Sequence, residues 1–287
     1  MNYQQLIIKT NKESVNFIEE VVLGLGALSV DFSDSFDNPI LEPTLGTTPL
    51  WDNITLKILF NESIDKEFIN NSLLEICNTK GRFEFIADKN WQKECNKNFN
   101  ITKFGKNLWI CPSWENCENL DGVVIKMDPG MAFGTGNHQT TSLCLEYLSN
   151  NPPIDKTVLD FGTGTGILAI GAKKLGAKKV FAIDNDPQAI IATNDNSKNN
   201  NTKIEINLAK NSSSITGIEL IIANILTPVL VEFAKQFSKN LKPYGQIILS
   251  GILESQEEQV YQAYMPYFSN LTTYKKDEWL LISGDKK

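Results

Sequence analysis

TVLDFGTGTGILAIGAKKLGAKKVFAIDND, residues 157–186, is the stretch from which the fold can be read. Residues 157–161 form an apolar, β-rich run that stops at glycine, which predicts a short buried strand. Residues 167–175 carry apolar side chains at the spacing of a helix packed on a sheet, and 178–184 form a second strand ending in an acid. Strand, glycine turn, helix and strand make half of a doubly wound nucleotide-binding sheet. Gly162, Gly164 and Gly166 let the main chain approach a ligand without a Cβ clash, and the N–H groups that open the helix favour polar or anionic groups. Asp184 lies 22 positions after Gly162, where a carboxylate can accept both hydroxyls of a ribose.

The glycine spacing separates two ligand classes. A dinucleotide fingerprint reads G-x-G-x-x-G, whereas Asp160 to Gly166 reads D-x-G-x-G-x-G. The latter resembles motif I of the class I S-adenosylmethionine-dependent methyltransferases. A glycine-rich turn alone is also compatible with a connection that binds nothing, but the acid-ended second strand argues for a ligand.

The length of 287 residues, with 41% hydrophobic and 21% charged content, predicts one large or two unequal globular domains. The first 14 residues have neither a basic region nor an apolar core, so no signal peptide is expected. No apolar run approaches the roughly 18 residues a membrane span requires, and no membrane partner is expected. The five cysteines, Cys77, Cys95, Cys111, Cys117 and Cys144, form no C-x-x-C pair. A reduced, cytoplasmic chain without a structural metal is the simplest reading.

Charge is unevenly spread. Residues 1–90 hold 14 Asp and Glu against 7 Lys and Arg, a net of −7, while residues 91–287 hold 20 of each. An acidic first third attracts a basic partner and repels nucleic-acid phosphate, so no direct nucleic-acid binding is expected. Acidity kept for solubility explains the charge equally well.

Strands are predicted over residues 3–9, 27–32, 54–60 and 82–86, helices over 13–25 and 64–77, and a long loop over 33–53. This βαββαβ order suggests a compact ferredoxin-like α+β module. It shows no glycine loop, paired acid or nucleophile and suits recognition better than chemistry. Residues 88–100 have a helical look with few core side chains. Trp109 and Trp114 follow, most simply as packing residues, and then a strand over 122–127.

The stretch DPGMAFGTGNHQTTSLCLEYL, residues 128–148, is a polar loop running into a helix near Thr140 or Thr141, and it can cap a ligand pocket. It holds the only histidine, His138, which a loop can use structurally or catalytically. Further on, residues 187–199 read as a helix, 203–208 as a strand and 219–223 as an apolar strand halted at Asn224. A helix over 228–241, a strand over 245–249, a helix opened by SGILESQEEQV and two terminal β-rich segments complete the pattern.

Three separated motifs, MDPGMAFGTGNHQTT (127–141), VLDFGTGTGILAI (158–170) and ANIL (223–226) followed by SGILESQ, together resemble the bacterial methyltransferases of large-subunit ribosomal protein eleven (PrmA family). The similarity runs over essentially the whole chain. It implies an α/β class I methyltransferase sheet, doubly wound and Rossmann-like, with a terminal antiparallel hairpin. A small ferredoxin-like domain would precede it. It also implies a substrate-recognition domain over 1–87, a linker over 88–105 and a catalytic domain over 106–287, and a monomer that methylates amino groups of that ribosomal protein with S-adenosylmethionine. By position, Thr141, Gly162, Asp184 and Asn224 match the family's cofactor-binding residues, with Gly164 and Gly166 in the same turn. Cys95 and Ile101 depart from the tryptophan and proline that relatives carry, both within the linker.

The chemistry of these residues agrees. Methyl transfer from a sulfonium needs positioning more than acid–base machinery, and Asn224, at a strand's end, can accept a hydrogen bond from an amine and aim its lone pair. Its alternative role is to cap the turn after the strand. Methyltransferases of bases or glutamine amides carry Asn-Pro-Pro-aromatic at this point, whereas here Asn224 is followed by Ile225, Leu226 and Thr227. A dinucleotide-dependent oxidoreductase is disfavoured by the glycine spacing. A non-catalytic ribosome-binding module would be told apart only by its lack of turnover.

Overall fold

A computed structural model of the chain describes residues 2–36, 40, 49–87, 100–128, 138–209 and 215–287. The expected helical segment over 88–100 falls almost wholly outside these residues, as do Cys95, most of the 33–53 loop and positions 129–137. The chain divides into two compact units, Met1–Glu94 and Cys95–Lys287.

The first unit follows the order β1 (Tyr3–Asn11), α1 (Val15–Gly24), β2 (Ser29–Asp34), β3 (Asn53–Asn61), α2 (Lys66–Cys77) and β4 (Arg82–Ile86). Its sheet is antiparallel in the order β2-β3-β1-β4, the ferredoxin-like plan. Alternation explains the packing. Leu6 and Ile8 of β1 and Ile54, Leu56, Ile58 and Phe60 of β3 all point to one face, where Val15, Ile18, Val22, Ile69 and Leu73 cover them. Helix α2 starts where Asp65 accepts the N–H groups of Glu67 and Phe68, both at 3.0 Å, and ends on Asn78 in the left-handed conformation.

The second unit opens with β5 (Thr102–Phe104), β6 (Leu108–Cys111) and β7 (Val123–Lys126), a three-stranded sheet. The first two, three and four residues long, are not among the strands expected from the sequence. Phe104, Leu108 and Ile110 are buried in this unit's core. Cys111 and Cys117 are joined in a disulfide, which corrects the expectation of five reduced cysteines: the short 111–117 loop brings together two thiols that the search for C-x-x-C spacing passed over.

The main sheet is built by α3 (Gln139–Asn150), β8 (Thr157–Phe161), α4 (Ile167–Lys174), β9 (Lys179–Asp184), α5 (Pro187–Asn199), β10 (Glu205–Leu208), β11 (Ile218–Asn224), α6 (Thr227–Asn240), β12 (Leu241–Leu253), α7 (Glu257–Tyr264), β13 (Phe268–Lys276) and β14 (Trp279–Lys286). Seven strands lie in the order β10-β9-β8-β11-β12-β14-β13. Five are mutually parallel, and β14 runs antiparallel between β12 and β13. This is the class I methyltransferase sheet with its terminal hairpin. Parallel strands covered on both faces must be apolar throughout, as Ile221, Ile222 and Ala223 of β11 are. Strand order reverses between β8 and β11, so their carboxyl ends flank the crevice where such sheets bind ligands.

Strand β12 is longer than its sequence suggests. The strand expected over 245–249 begins already at Leu241 and runs through Tyr244, which takes a left-handed φ of 61°. The register against β14 shifts between Ser250 and Ile252, around Gly251.

Candidate active site

The turn after β8 is left-handed at each alternate residue, with φ of 76°, 56° and 82° at Gly162, Gly164 and Gly166. A side chain at Gly166 would also meet Thr193 Cγ2 at 2.7 Å. Main chain ties the turn to β9: Ile183 O accepts the N–H groups of Gly162 and Thr163 at 2.9 and 3.0 Å. From α5, Thr193 Oγ1 donates to Gly164 O at 3.0 Å and Asn196 Nδ2 donates to Thr165 O at 2.9 Å. These two anchors were not read from the sequence, because a threonine and an asparagine on a solvated helix give no signal of what they face.

Asp184 ends β9. Its Oδ2 accepts Gly164 N–H at 2.9 Å and its Oδ1 accepts Asp186 N–H at 3.0 Å. The structure thus joins the two sequence-predicted features, glycine turn and acid, by a direct hydrogen bond. Each oxygen keeps a further lone pair for a hydroxyl, so the set fits a ribose held at this strand end.

Asp160, the first residue of the motif, lies beneath the turn rather than in the crevice. It is 1% exposed. Its Oδ2 accepts Thr163 Oγ1 at 2.7 Å and Ala169 N–H at 3.0 Å, so one carboxylate oxygen clasps both ends of the turn. Its Oδ1 is buried with no partner among the described residues. Burial pushes this carboxyl up to about 7 against the two hydrogen bonds that favour the anion.

Across the crevice, Asn224 Nδ2 donates to Thr141 Oγ1 at 3.2 Å, joining residues 83 positions apart. With Nδ2 so engaged, the amide offers Oδ1 as its acceptor. Asn224 pairs with Ser250 in the sheet register, and Ile225 N–H donates to Ser250 O at 3.2 Å. Ile225 packs on the core while Leu226 is exposed, so no ring stands beside Asn224 in the ANIL segment. Thr227 Oγ1 and Leu253 N–H both donate to Gln256 Oε1, at 2.8 and 2.9 Å, which fixes the SGILESQ segment behind the site.

His138 caps α3: its Nδ1 accepts Thr140 N–H at 3.4 Å and lies 2.8 Å from Thr140 Oγ1. Its ring stands edge-on to Trp279 at 4.9 Å, and burial lowers its pKa. The Cys144 thiol, fully buried on the same helix, is pushed far up by burial and by the Asp160 carboxylate and is unreactive. Among the described residues no group of three or more His, Cys, Asp or Glu side chains is placed to hold a metal, and no helix is long and apolar enough to cross a membrane.

Comparison with known proteins gives the same picture. Residues 2–287 match the family described as Ribosomal protein L11 methyltransferase (PrmA). The chain is 41% identical over 293 residues to the ribosomal protein L11 methyltransferase of Actinobacillus pleuropneumoniae serotype 3 (strain JL03), covering 100% of both. It is 41% identical to that of Hahella chejuensis (strain KCTC 2396), covering 99% of this chain and 98% of the other. Among solved structures it is similar to the ribosomal protein L11 methylase of Lactobacillus delbrueckii subsp. bulgaricus, with a TM-score of 0.60 and 34% identity, over 66% of this chain and 100% of that one.

Proposed function

The chain belongs to the ribosomal protein L11 methyltransferase (PrmA) family, and on that footing we propose that it methylates amino groups of ribosomal protein L11, on lysine side chains, the N-terminal α-amine or both. The observation that carries this reading is the Asn224–Thr141 pair at the point where strand order reverses.

S-adenosylmethionine, when bound, supplies the methyl carbon as a sulfonium. Asp184 would hold its ribose, and the turn of Gly162, Gly164 and Gly166 would bring main-chain groups close to it, with Thr141 and Asn224 on the facing side. An amine is a nucleophile only after losing a proton, and its reference pKa is about 10.4 for lysine and about 7.7–8.0 for an α-amine. Seating it in the crevice removes water and favours the neutral form. Asn224 Oδ1 then accepts one N–H of the amine, and Thr141 keeps the amide from rotating. The aliphatic residues after Asn224 suit a flexible amine, because a planar base or amide would need a ring to stack on.

Residues 1–87 would recognise the substrate, 88–105 connect, with the end of that stretch folded as β5 of the second unit, and 106–287 carry the chemistry. The −7 net charge of residues 1–90 supports docking of a basic protein, and the separate core of the first unit supports a distinct role. The chain would work as a cytoplasmic monomer without contacting nucleic acid.

The test is intact-mass analysis of purified ribosomal protein L11 after incubation with the chain and S-adenosylmethionine. Added mass in whole methyl increments is expected, with a rate that falls as salt screens the acidic surface over about 8 Å at physiological ionic strength. An unchanged mass in the presence of bound cofactor would overturn the proposal.

A further inference from the structure

We propose that the turn of the β13–β14 hairpin, residues 276–279, is a positioning device for methyl transfer, with Lys276 as its principal residue. It holds the first turn of α3 so that Thr141 meets Asn224, and it rests on the reading of that pair given above.

Four contacts run from this short turn to the cap and first two turns of α3. Lys276 Nζ donates to Ser142 Oγ at 2.6 Å and to Glu146 Oε1 at 2.8 Å. Gln139 Nε2 donates to Asp277 Oδ2 at 3.1 Å. Trp279 stands against His138, the residue that caps the helix. Gln139, Ser142 and Glu146 are spaced by three and four, so they share one face of α3. Thr141 leaves the helix elsewhere and meets β11. The hairpin also fixes the other partner. Ser250 Oγ donates to Leu280 O at 2.9 Å, one residue past the turn, and Ser250 is the register partner of Asn224. One hairpin therefore sets both halves of the pair in a common frame.

The magnitudes favour position over stability as the use of these contacts. The Lys276 and Glu146 side chains are 40% and 37% exposed, and exposed ion pairs add little to stability. A misplacement of about 1 Å at reacting groups, by contrast, can cost about 100-fold in rate.

Lys276→Met should lower kcat on ribosomal protein L11 about tenfold, with KM for S-adenosylmethionine within about twofold and Tm nearly unchanged, and Lys276→Arg should restore most of the rate. In a Thr141→Val background the same substitution should cost no more than about twofold, because nothing remains to be positioned. Hydrogen exchange gives a reading independent of activity: amides 140–143 should exchange faster in Lys276→Met while those of β8 and β9 do not change. Losses that multiply across the two backgrounds, an unaltered kcat, or unchanged exchange at 140–143 would overturn the proposal. An unsubstituted chain that modifies nothing would instead sink the methylation reading, with the exchange result still standing.

Discussion

On the side of the crevice that carries Gly162 and Asp184, nearly every contact has a main-chain group on at least one side. Ile183 O, Gly164 N–H, Gly164 O, Thr165 O and Ala169 N–H all take part. On the side that carries Thr141 and Asn224, the contacts run between side chains of α3, β11 and the distant hairpin. The difference teaches which half tolerates substitution. Main-chain geometry survives the loss of most individual side chains, whereas a contact between two side chains is lost when either is changed. The cofactor half should therefore fail in affinity, and the amine half in rate.

The sharpest way to break this comparison is Asn224→Ala. It should lower kcat roughly 100-fold, the order expected for misplacing a reacting group, while cofactor affinity changes far less. Steady-state kinetics with calorimetric titration of S-adenosylmethionine checks it, and equal losses in both would erase the distinction. Next in size is Asp184→Ala. It removes two charge-assisted acceptors, worth roughly 1.5–3 kcal/mol each at most, and frees Gly164 N–H. Cofactor affinity should fall at least about tenfold by titration, and an unchanged Kd would show that the ribose is held elsewhere.

A third effect concerns Asp160 and is one of pH. Its carboxyl sits at about 7 in the folded protein, above the roughly 3.9 of an unfolded aspartate. Between those values the folded state binds the extra proton, so stability falls as pH rises from about 4 to about 7. Asp160→Asn should flatten that slope in thermal melts across this range. A slope as steep as in the unsubstituted chain would place the titration on another group.

The same division explains what the sequence makes legible. The glycine turn and Asp184 are local: 30 consecutive residues contain strand, turn, helix and acid, and the predicted strand over 157–161 and helix over 187–199 coincide with β8 and α5. The βαββαβ order of the first unit was legible for a similar reason, since alternation marks a sheet with one covered face. Resemblance supplied Thr141, but nothing local predicts its bond to Asn224, and the ties from Lys276 span 134 and 130 positions. Strand β5 escapes because three residues carry no measurable period, and β6 because its tryptophan was read only as a packing residue. Asp160 was visible as a motif letter, but not as the buried clasp of both ends of its own turn.

The hairpin has a consequence for the order in which the molecule assembles. Strands β13 and β14 are joined by a two-residue turn at Asp277 and Glu278, and hairpins of this kind form in roughly 1–10 μs. The parallel pair β11–β12 must close a loop that holds one helix, and β8–β11 one that holds two helices and two strands, which makes them slower. The hairpin is then a prefabricated part that waits for β12, and Leu280, Leu281 and Ile282 are buried when it docks. The ties of the glycine turn and Asp184 do not involve the hairpin, whereas Ser250 and α3 are bonded to it, so a chain whose hairpin is undocked would lack the frame for Asn224 and Thr141 while keeping those ties.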